Sequence, residues 1–269
     1  MCIRDRCQTP FGNPSDKILS GEIFGVRVLF LARHGRHHSI LPSEVNYKAN
    51  IWALKSLGAE WCIGIGAVGS LKQELAPGHI VVPDQSIDFT KKRSSSFFGE
   101  GIVAHVSMAE PFCPSLRKIL IDSARNVLPK EIIHIGGSYV CIEGPQFSTK
   151  AESEIFRKLG ASIIGMTNMP EAKLAREAEI AYSCLNLVTD YDCWHETEEI
   201  VDVSTVMKVL KDNAEKANKI LVNVIQVIKN ARPSVIAQDS LKNAIVTDLA
   251  MIPKSVKQSL GPILSRYLK

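Results

Sequence analysis

The sequence has no C-x-x-C pair, no block of like charge and no long apolar run, and each absence excludes a class of protein. Its seven cysteines are an odd number without metal-finger spacing, which favours reduced thiols in a cytoplasmic protein over a disulfide framework. No segment approaches the roughly 18 apolar residues of a membrane span, and no secretory leader is recognisable. We therefore expect a cytoplasmic protein with no membrane partner.

Charge of one sign and aromatic residues are also scarce. The formal net charge is only +4, the basic residues are dispersed, and aromatic residues make up 6% of the chain, so a nucleic-acid partner is not expected. By contrast, 269 residues with 45% hydrophobic and 22% charged side chains are typical of a globular protein with a substantial core. This composition fits one large domain.

Short apolar runs of strand length alternate along the chain with segments of helical period. The predicted strands are 26–32, 61–65, 80–83, 139–142, 162–166 and 181–188. The predicted helices are 43–58 with Ser43 as N-cap, 114–127, 151–159, 170–177, 204–229 with Ser204 as N-cap, and 262–268. This alternation predicts a single α/β domain with a central mixed β-sheet flanked by helices.

Four motifs follow predicted strands, where open α/β sheets collect their ligands: Arg33-His34, Gly66-Ala67, Met166-Thr167 and Asp190 to Asp192. Arg33 and His34 follow the first strand, and a guanidinium beside an imidazole suits a tetrahedral oxyanion. A solvated basic loop is the alternative, because Arg36, His37 and His38 come next. A metal site is weaker, since adjacent histidines point in different directions.

The second motif is the small-residue segment from Gly66 to Ser70, read as a turn after the strand 61–65. Its backbone N–H groups are open to a phosphate, although such turns are also common for conformational reasons alone. The segment matches neither the Walker nor the dinucleotide-binding pattern, so it does not support ATP or NAD binding.

Asp190 and Asp192 follow the strand 181–188, and in an extended segment their carboxyl groups face the same side. One carboxylate can accept from an exocyclic amine while a protonated neighbour donates to a ring nitrogen, which complements the edge of adenine. The alternatives are a capping aspartate beside a solvated one, or a metal-binding D-x-D with His195 nearby.

Three apolar features carry two interpretations each. Phe147 in the loop after Glu143 could stack on a base or join the core, and Met166 could lie against a sugar or fill a gap. The helical stripe of Val203, Val206 and Met207 suits a core or an apolar ligand pocket.

Taken together, these segments resemble the purine nucleoside phosphorylase superfamily, and within it most closely the trimeric 5′-methylthioadenosine phosphorylases. The resemblance is carried in order by LARHGRHH (31–38), PSEVNYKANIWALKSLGA (42–59), MAEPFCP (108–114), IEGPQFSTKAES (142–153) and TDYDCW (189–194). It covers the chain from about Thr9 to the helix after Ser204.

The resemblance implies phosphorolysis of 5′-methylthioadenosine to adenine and 5-methylthioribose 1-phosphate, in purine and methionine salvage. It implies a homotrimer without metal or organic cofactor, inorganic phosphate being the co-substrate. The phosphate ligands it implies are Arg33, His34, Gly66, Ala67 and Thr167.

The same resemblance assigns the nucleoside contacts. Asp190, Tyr191 and Asp192 would bind the substrate, and the two aspartates would be catalytic, with Asp190 as proton donor to N7. Phe147 would stack on the base and Met166 would lie against the ribose. Val203, Val206 and Met207 would line the methylthio pocket, and His105 would reach a neighbouring subunit's site.

The amino-terminal end departs from the family pattern. We expect a nucleoside phosphorylase domain over 7–269, preceded by a non-native leader over 1–6, with the family's first strand and Gly-rich turn missing. Two alternatives for the activity therefore stay open: a phosphorylase for another purine nucleoside such as methylthioinosine, or an inactive nucleoside-binding homologue. A hydrolytic nucleosidase is a further rival, against which Arg33 and His34 favour phosphate over water.

Overall fold

A mixed β-sheet with helices on both faces organises the chain, as the alternating pattern predicts. The structure is a computed structural model that describes residues 3–5, 8–130, 132–195, 203–232 and 236–268, and it leaves out the side chains of 3–5, 203–212 and 236.

The described strands are β1 (Ile3–Asp5), β2 (Ile18–Ile23), β3 (Val26–Phe30), β4 (Trp61–Ser70), β5 (Ile80–Val82), β6 (Gln85–Asp88), β7 (Ile133–Ile135), β8 (Ser138–Cys141), β9 (Ile163–Gly165) and β10 (Ala181–Asp190). The described helices are α1 (Tyr47–Ser56), α2 (Pro114–Val127), α3 (Lys150–Lys158), α4 (Asn168–Glu177), α5 (Val203–Ala231), α6 (Lys254–Ser259) and α7 (Gly261–Leu264), with a 3₁₀ turn at Ile236–Asp239. None of these helices combines the length and apolar character that crossing a bilayer requires.

The described strands form a seven-stranded sheet in the order β6-β8-β9-β4-β10-β5-β7 and a separate three-stranded sheet β1-β2-β3. In the larger sheet β4 and β10 pair in parallel, while β9 and β5 are antiparallel to them. The fold class is therefore confirmed. The predicted strand at 26–32 exists as β3, but it pairs with β2 outside the larger sheet. The residues 3–5, in a segment without visible period, form β1.

Strand β10 lies next to the central strand β4 and is buried on both faces. Tyr182, Cys184 and Val188 pack with α1, α4 and the carboxyl-terminal helices. Ala181, Leu185 and Leu187 pack with α2 and α5 on the opposite face. This period of two explains why the segment reads as a continuous apolar run in the sequence.

The structure differs from the sequence predictions in the segment 66–70 and at the start of the first helix. The segment from Gly66 to Ser70 is not a turn, because β4 continues through it and pairs with β10 as far as Gly69. Within this segment Gly69 reflects crowding, since a Cβ there would come within 2.9 Å of Asp190 Oδ1. The first helix is capped by Asn46, whose side chain accepts from Ala49 N, and not by Ser43.

Candidate active site

Arg33 forms a buried ion pair that fixes the direction of its guanidinium group. Nε lies 2.7 Å from Glu171 Oε2 and Nη2 lies 2.8 Å from Glu171 Oε1, a two-point contact with the carboxylate. Tyr182 Oη donates a further bond of 2.8 Å to Glu171. Burial by itself would lower the pKa of Arg33, but the charge and hydrogen bonds of Glu171 raise it well above its ordinary value. The interpretation of Arg33 as part of a solvated basic loop is therefore wrong.

The remaining N–H groups of Arg33 are suited to an anion. Nη1 donates to the carbonyl oxygen of Ile65 at 3.3 Å. A guanidinium has five N–H groups. The contacts with Glu171 and Ile65 account for three of them, so two are left without a partner among the described residues.

A narrow cleft brings together three of the five predicted phosphate ligands. Arg33, Gly66 and Thr167 line it, although they belong to distant parts of the chain. A Cβ at Gly66 would lie 3.9 Å from Thr167 Oγ1, so glycine keeps the β4 backbone open toward that hydroxyl. The other lining residues are Gly64, Ile65, Tyr139, Asn168, Tyr182, Cys184 and Asn186. Ala67 and His34 are chain neighbours of cleft residues and do not line it.

His34 is held by a short turn beside this cleft. Its Nδ1 lies 2.9 Å from the carbonyl oxygen of Ile40, and because a carbonyl only accepts, Nδ1 carries the proton. Burial lowers the pKa of His34 and outweighs the hydrogen bond to Ile40, which raises it. The ring stacks on His38 at a centroid distance of 4.5 Å. In the neutral ring Nε2 is therefore an acceptor, which suits the O–H of a protonated phosphate.

Strand β4 connects the cleft to the two aspartates. Gly66 lines the cleft, and a Cβ at Gly69 would lie 2.9 Å from Asp190 Oδ1 and 3.4 Å from Asp192 Cβ. Three residues of extended chain span about 10 Å. The anion cleft and the carboxyl groups thus lie about 10 Å apart along one strand.

Asp190 and Asp192 are not in one extended segment, as the sequence suggested. Asp190 ends β10, and Asp192 follows in a turn with φ of 52°. Asp190 accepts from Thr189 Oγ1 at 2.6 Å and from the backbone N–H of Asp192 at 2.8 Å, so it also stabilises this turn. Burial, with a smaller contribution from the charge of Asp190, raises the pKa of Asp192. No three metal-binding side chains cluster within the described residues.

Aromatic residues after Asp190 attach this turn to the loop that follows β4. Tyr191 is buried, and its hydroxyl donates to the carbonyl oxygen of Gln73 at 3.1 Å. Trp194 Nε1 donates to the carbonyl oxygen of Ser70 at 2.7 Å, and the Arg157 guanidinium lies 3.8 Å above its ring. Tyr191 thus fixes the position of its neighbouring carboxyl groups.

Phe147 and Met166 belong to two loops that touch each other. Phe147 is 47% exposed, so it is not a core residue and its ring is free to meet a ligand. Met166 packs so closely on the other loop that a Cβ at Gly144 would come within 2.5 Å of its Sδ. Gly144 has φ of 66°, which glycine adopts without strain.

Four predicted site residues are not brought to this site by the described structure. The side chains of Val203, Val206 and Met207 lie outside the described residues, although the backbone of all three is in α5. His105 is exposed, and its backbone N–H donates to the carbonyl oxygen of Ala244 at 2.8 Å. The prediction for these residues stays a prediction.

Sequence reasoning missed Glu171, Tyr182 and Arg93. Glu171 falls in the predicted helix 170–177, most of which is buried. A carboxylate in such a helix needs a buried partner, and this is the signal that would have indicated an arginine beside it. For Tyr182 and Arg93 we find no comparable signal in the sequence.

Comparisons with known proteins identify the family of the chain. A family model described as the phosphorylase superfamily matches residues 3–226. The S-methyl-5′-thioadenosine phosphorylase of Thermosynechococcus vestitus is 50% identical over 264 residues, which are 98% of this chain and 91% of that protein.

Solved structures give the same family. A methylthioadenosine phosphorylase from an antarctic soil metagenomic library has a TM-score of 0.94 and 48% identity, covering 98% of this chain and 92% of that one. The Schistosoma mansoni methylthioadenosine phosphorylase in complex with adenine has a TM-score of 0.82 and 36% identity, covering 98% and 91%. The fold, the converging cleft residues and these relatives together lead to one conclusion: the chain belongs to the phosphorylase superfamily.

Proposed function

We propose that this chain cleaves 5′-methylthioadenosine with inorganic phosphate, giving adenine and 5-methylthioribose 1-phosphate. The observation that carries the proposal is strand β4, which runs from an arginine-lined cleft to a pair of carboxyl groups about 10 Å away. Phosphate and purine flank the ribose in the transition state, so a site for this reaction needs an anion site and a base site at such a spacing. The S-methyl-5′-thioadenosine phosphorylases that resemble the chain over 98% of its length supply the substrate class.

Phosphate binds at the cleft in this proposal. The two remaining N–H groups of Arg33 and the Thr167 hydroxyl donate to its oxygens, the backbone at Gly66 and Ala67 leaves it room, and His34 contacts it from the side. Glu171 neutralises the charge of Arg33, so affinity depends on oriented hydrogen bonds more than on net charge. A positioned anion needs little further reorganisation to attack.

The base binds at Asp190 and Asp192. As the bond between C1′ and N9 breaks, its electron pair moves to the purine and the ribose gains oxocarbenium character. A proton from Asp190 to N7 relieves the charge on the purine, while Asp192 accepts from the exocyclic amine. An oxygen of phosphate then bonds to C1′ on the opposite face of the ribose. No oxidation or reduction takes place, so no oxidant or reductant is required.

The rest of the assignment completes the pocket. Phe147 stacks on the base, Met166 lies against the ribose, Tyr191 fixes the turn between the carboxyl groups, and the stripe of Val203, Val206 and Met207 receives the methylthio group. We also propose a homotrimer in which His105 reaches a neighbouring site, which fits its exposure. We place the enzyme in cytoplasmic purine and methionine salvage, without metal or organic cofactor.

The test is adenine release from 5′-methylthioadenosine with and without phosphate. We expect release only with phosphate, together with one equivalent of sugar phosphate for each adenine. Release that is independent of phosphate would instead identify a hydrolase. Binding without release would identify an inactive homologue.

A further inference from the structure

Arg93 is the most heavily hydrogen-bonded side chain near the candidate site, and the reaction described above does not use it. Its side chain is 1% exposed. Nε donates to Glu143 Oε1 at 2.8 Å, Nη2 donates to the carbonyl oxygens of Glu143 at 2.7 Å and Ile142 at 3.3 Å. Nη1 donates to the carbonyl oxygens of Met166 at 2.6 Å and Met169 at 2.7 Å, and to Tyr47 Oη at 3.1 Å.

These contacts leave Arg93 no capacity for a ligand. A guanidinium has five N–H groups, and Arg93 makes six contacts with them, so at least one N–H is shared. A buried cation of this kind does not bind phosphate or substrate. Its effect on the reaction must be exerted through the groups that it holds.

The groups that Arg93 holds are the ends of two adjacent strands. Ile142 and Glu143 follow β8 and lead to Phe147, whereas Met166 follows β9 and precedes Thr167. The two segments also interlock directly, through Gly144 and the Met166 side chain. Arg93 is thus bonded to both loops that carry the proposed base-stacking and ribose contacts.

Glu143 closes this arrangement from the other side. Its Oε2 accepts from the backbone N–H groups of Lys91 at 2.5 Å and Lys92 at 2.9 Å, while Oε1 accepts from Arg93. Burial would raise the pKa of Glu143, but these hydrogen bonds and the arginine lower it below its ordinary value. The carboxylate is therefore charged and holds the segment 91–93 against the loop after β8.

We propose that the hydrogen bonds of Arg93 and Glu143 form a clamp. The clamp positions Met166 and Phe147 for the nucleoside. Arg93 and Glu143 are positioning residues and neither touches substrate. The inference rests on the proposed function for the identity of the substrate. It predicts a larger effect on the nucleoside half of the site than on the phosphate half, since the clamp contacts neither Arg33 nor Gly66 and reaches the phosphate ligands only through Thr167, the residue after Met166.

The test compares Glu143→Gln with Glu177→Gln. In the glutamine variant one carboxylate oxygen becomes an NH2 group, which faces either Arg93 Nε or the N–H groups of Lys91 and Lys92. One acceptor is lost in either orientation, and the clamp opens. Glu177 is a matched control, because its buried carboxylate likewise accepts a backbone N–H, from Phe97 at 2.6 Å, and a hydroxyl, from Ser96 at 2.8 Å, away from the two loops.

We expect Glu143→Gln to raise KM for 5′-methylthioadenosine by about 10- to 100-fold and KM for phosphate by at least about 5-fold less, because only Thr167 among the phosphate ligands follows a clamped residue. In Glu177→Gln neither KM should change by more than about 2-fold, even if the substitution lowers the melting temperature. Equal changes in the two KM values of Glu143→Gln, or no change, would overturn the proposal. If Glu143→Gln does not fold, Arg93→Lys takes its place, because an ammonium cannot span both loops.

Hydrogen exchange separates this proposal from the proposed function. The clamp predicts faster amide exchange over 142–148 and 164–169 in Glu143→Gln than in Glu177→Gln. Unchanged exchange there would overturn the clamp even if the wild type is an active phosphorylase. Conversely, a wild type that does not cleave methylthioadenosine would contradict the proposed function, and the exchange result would still decide for or against the clamp.

Discussion

The two carboxyl groups at the base end of the site have different surroundings. Asp190 is fixed by Thr189 Oγ1 and by the backbone N–H of Asp192. Asp192 is more deeply enclosed, and burial raises its pKa above the ordinary 3.8. The raised pKa favours a proton on Asp192 and does not by itself support Asp190 as the donor, a role that belongs to the proposed reaction and that mutation of Asp190 tests.

We predict that Asp190→Ala lowers turnover of 5′-methylthioadenosine by about 100-fold or more, because the general acid is lost. The fold should survive, since Asp190 lies at the end of β10 and not in the core. Asp122→Ala on the exposed face of α2 is the control and should keep full activity. Turnover of Asp190→Ala close to that of the wild type, with adenine release as the assay, would refute the acid assignment.

Among the strands and helices, β4 determines the spacing of the site. The anion cleft lies at Gly66 and the carboxyl groups lie beside Gly69 of this one strand. Its small residues let the Tyr182 hydroxyl, the Thr167 hydroxyl and the Asp190 carboxylate approach the backbone. The sequence pattern predicted a turn there, since glycine in a short segment signals turns and crowded strands alike. Pairing with β10 decides between the two, and pairing is not local information.

We predict that Gly69→Ala reduces turnover by about 100-fold and lowers the free energy of unfolding by about 1–3 kcal/mol through overpacking. The added methyl group would lie 2.9 Å from Asp190 Oδ1 and 3.0 Å from Ile164 Cγ2, so the carboxylate must move. Gly21→Ala in β2 is the control, because a Cβ there meets nothing within 4 Å. Unchanged kcat in Gly69→Ala would show that the position of Asp190 does not govern the reaction.

The sequence predicted most elements of the larger sheet but not how the site residues pair. Apolar runs such as 181–188 and helical stripes such as 114–127 are local signals, and β10 and α2 lie where they indicate. Two short strands were missed: β6 has little apolar character, and β7 has only three residues, too few to show a pattern. The bonds of Arg33 to Glu171 and of Arg93 to the two loops join residues far apart in the chain, which no local pattern encodes.

Two histidines join β7 to the residue before β5. His134 Nε2 lies 3.0 Å from His79 Nδ1, which also accepts from the backbone N–H of Ala76 at 3.1 Å. His134 is therefore the donor of this pair. Burial and, to a smaller extent, the charge of His79 lower the pKa of His134 below the ordinary 6.5, although Glu74 acts in the opposite direction.

We predict that this pair makes stability depend on pH. Because the folded pKa of His134 is lowered, the unfolded chain binds the proton more readily, and stability is complete above pH 6.5 and lost as pH falls below it. His134→Gln keeps a donor to His79 without titrating. Its melting temperature should fall less between about pH 7.5 and about pH 5.5 than that of the wild type or of the control His37→Gln. Equal decreases in all three would contradict this.

At the scale of the whole molecule, a buried carboxylate ties the last described segments to the sheet. Glu179 accepts from the backbone N–H of Leu241 at 3.1 Å, from Arg266 Nη1 at 3.2 Å and from Tyr267 Oη at 2.6 Å. Leu241, Ile263 and Leu264 complete the core on that face of the sheet. Glu179 follows α4, so these bonds tie the segments around Leu241 and Arg266 to the end of that helix.

We predict that Glu179→Gln lowers the free energy of unfolding by about 1–3 kcal/mol, because buried donors lose a charged acceptor. Glu60→Gln is the control. Its carboxylate pairs with Arg232 at 2.9 Å on the surface, where the expected loss is below about 1 kcal/mol. Urea unfolding of the two variants measures the difference. A loss in Glu179→Gln no larger than in Glu60→Gln would contradict the anchoring role.

The nucleophile of the proposed reaction is phosphate, and phosphate labelled with ¹⁸O on all its oxygens reveals whether it attacks. If phosphate attacks C1′, mass spectrometry of the reaction with 5′-methylthioadenosine will find the sugar 1-phosphate with all four labelled oxygens. If water attacks, the product will be a free sugar that carries solvent oxygen and no label, and phosphorolysis will be ruled out.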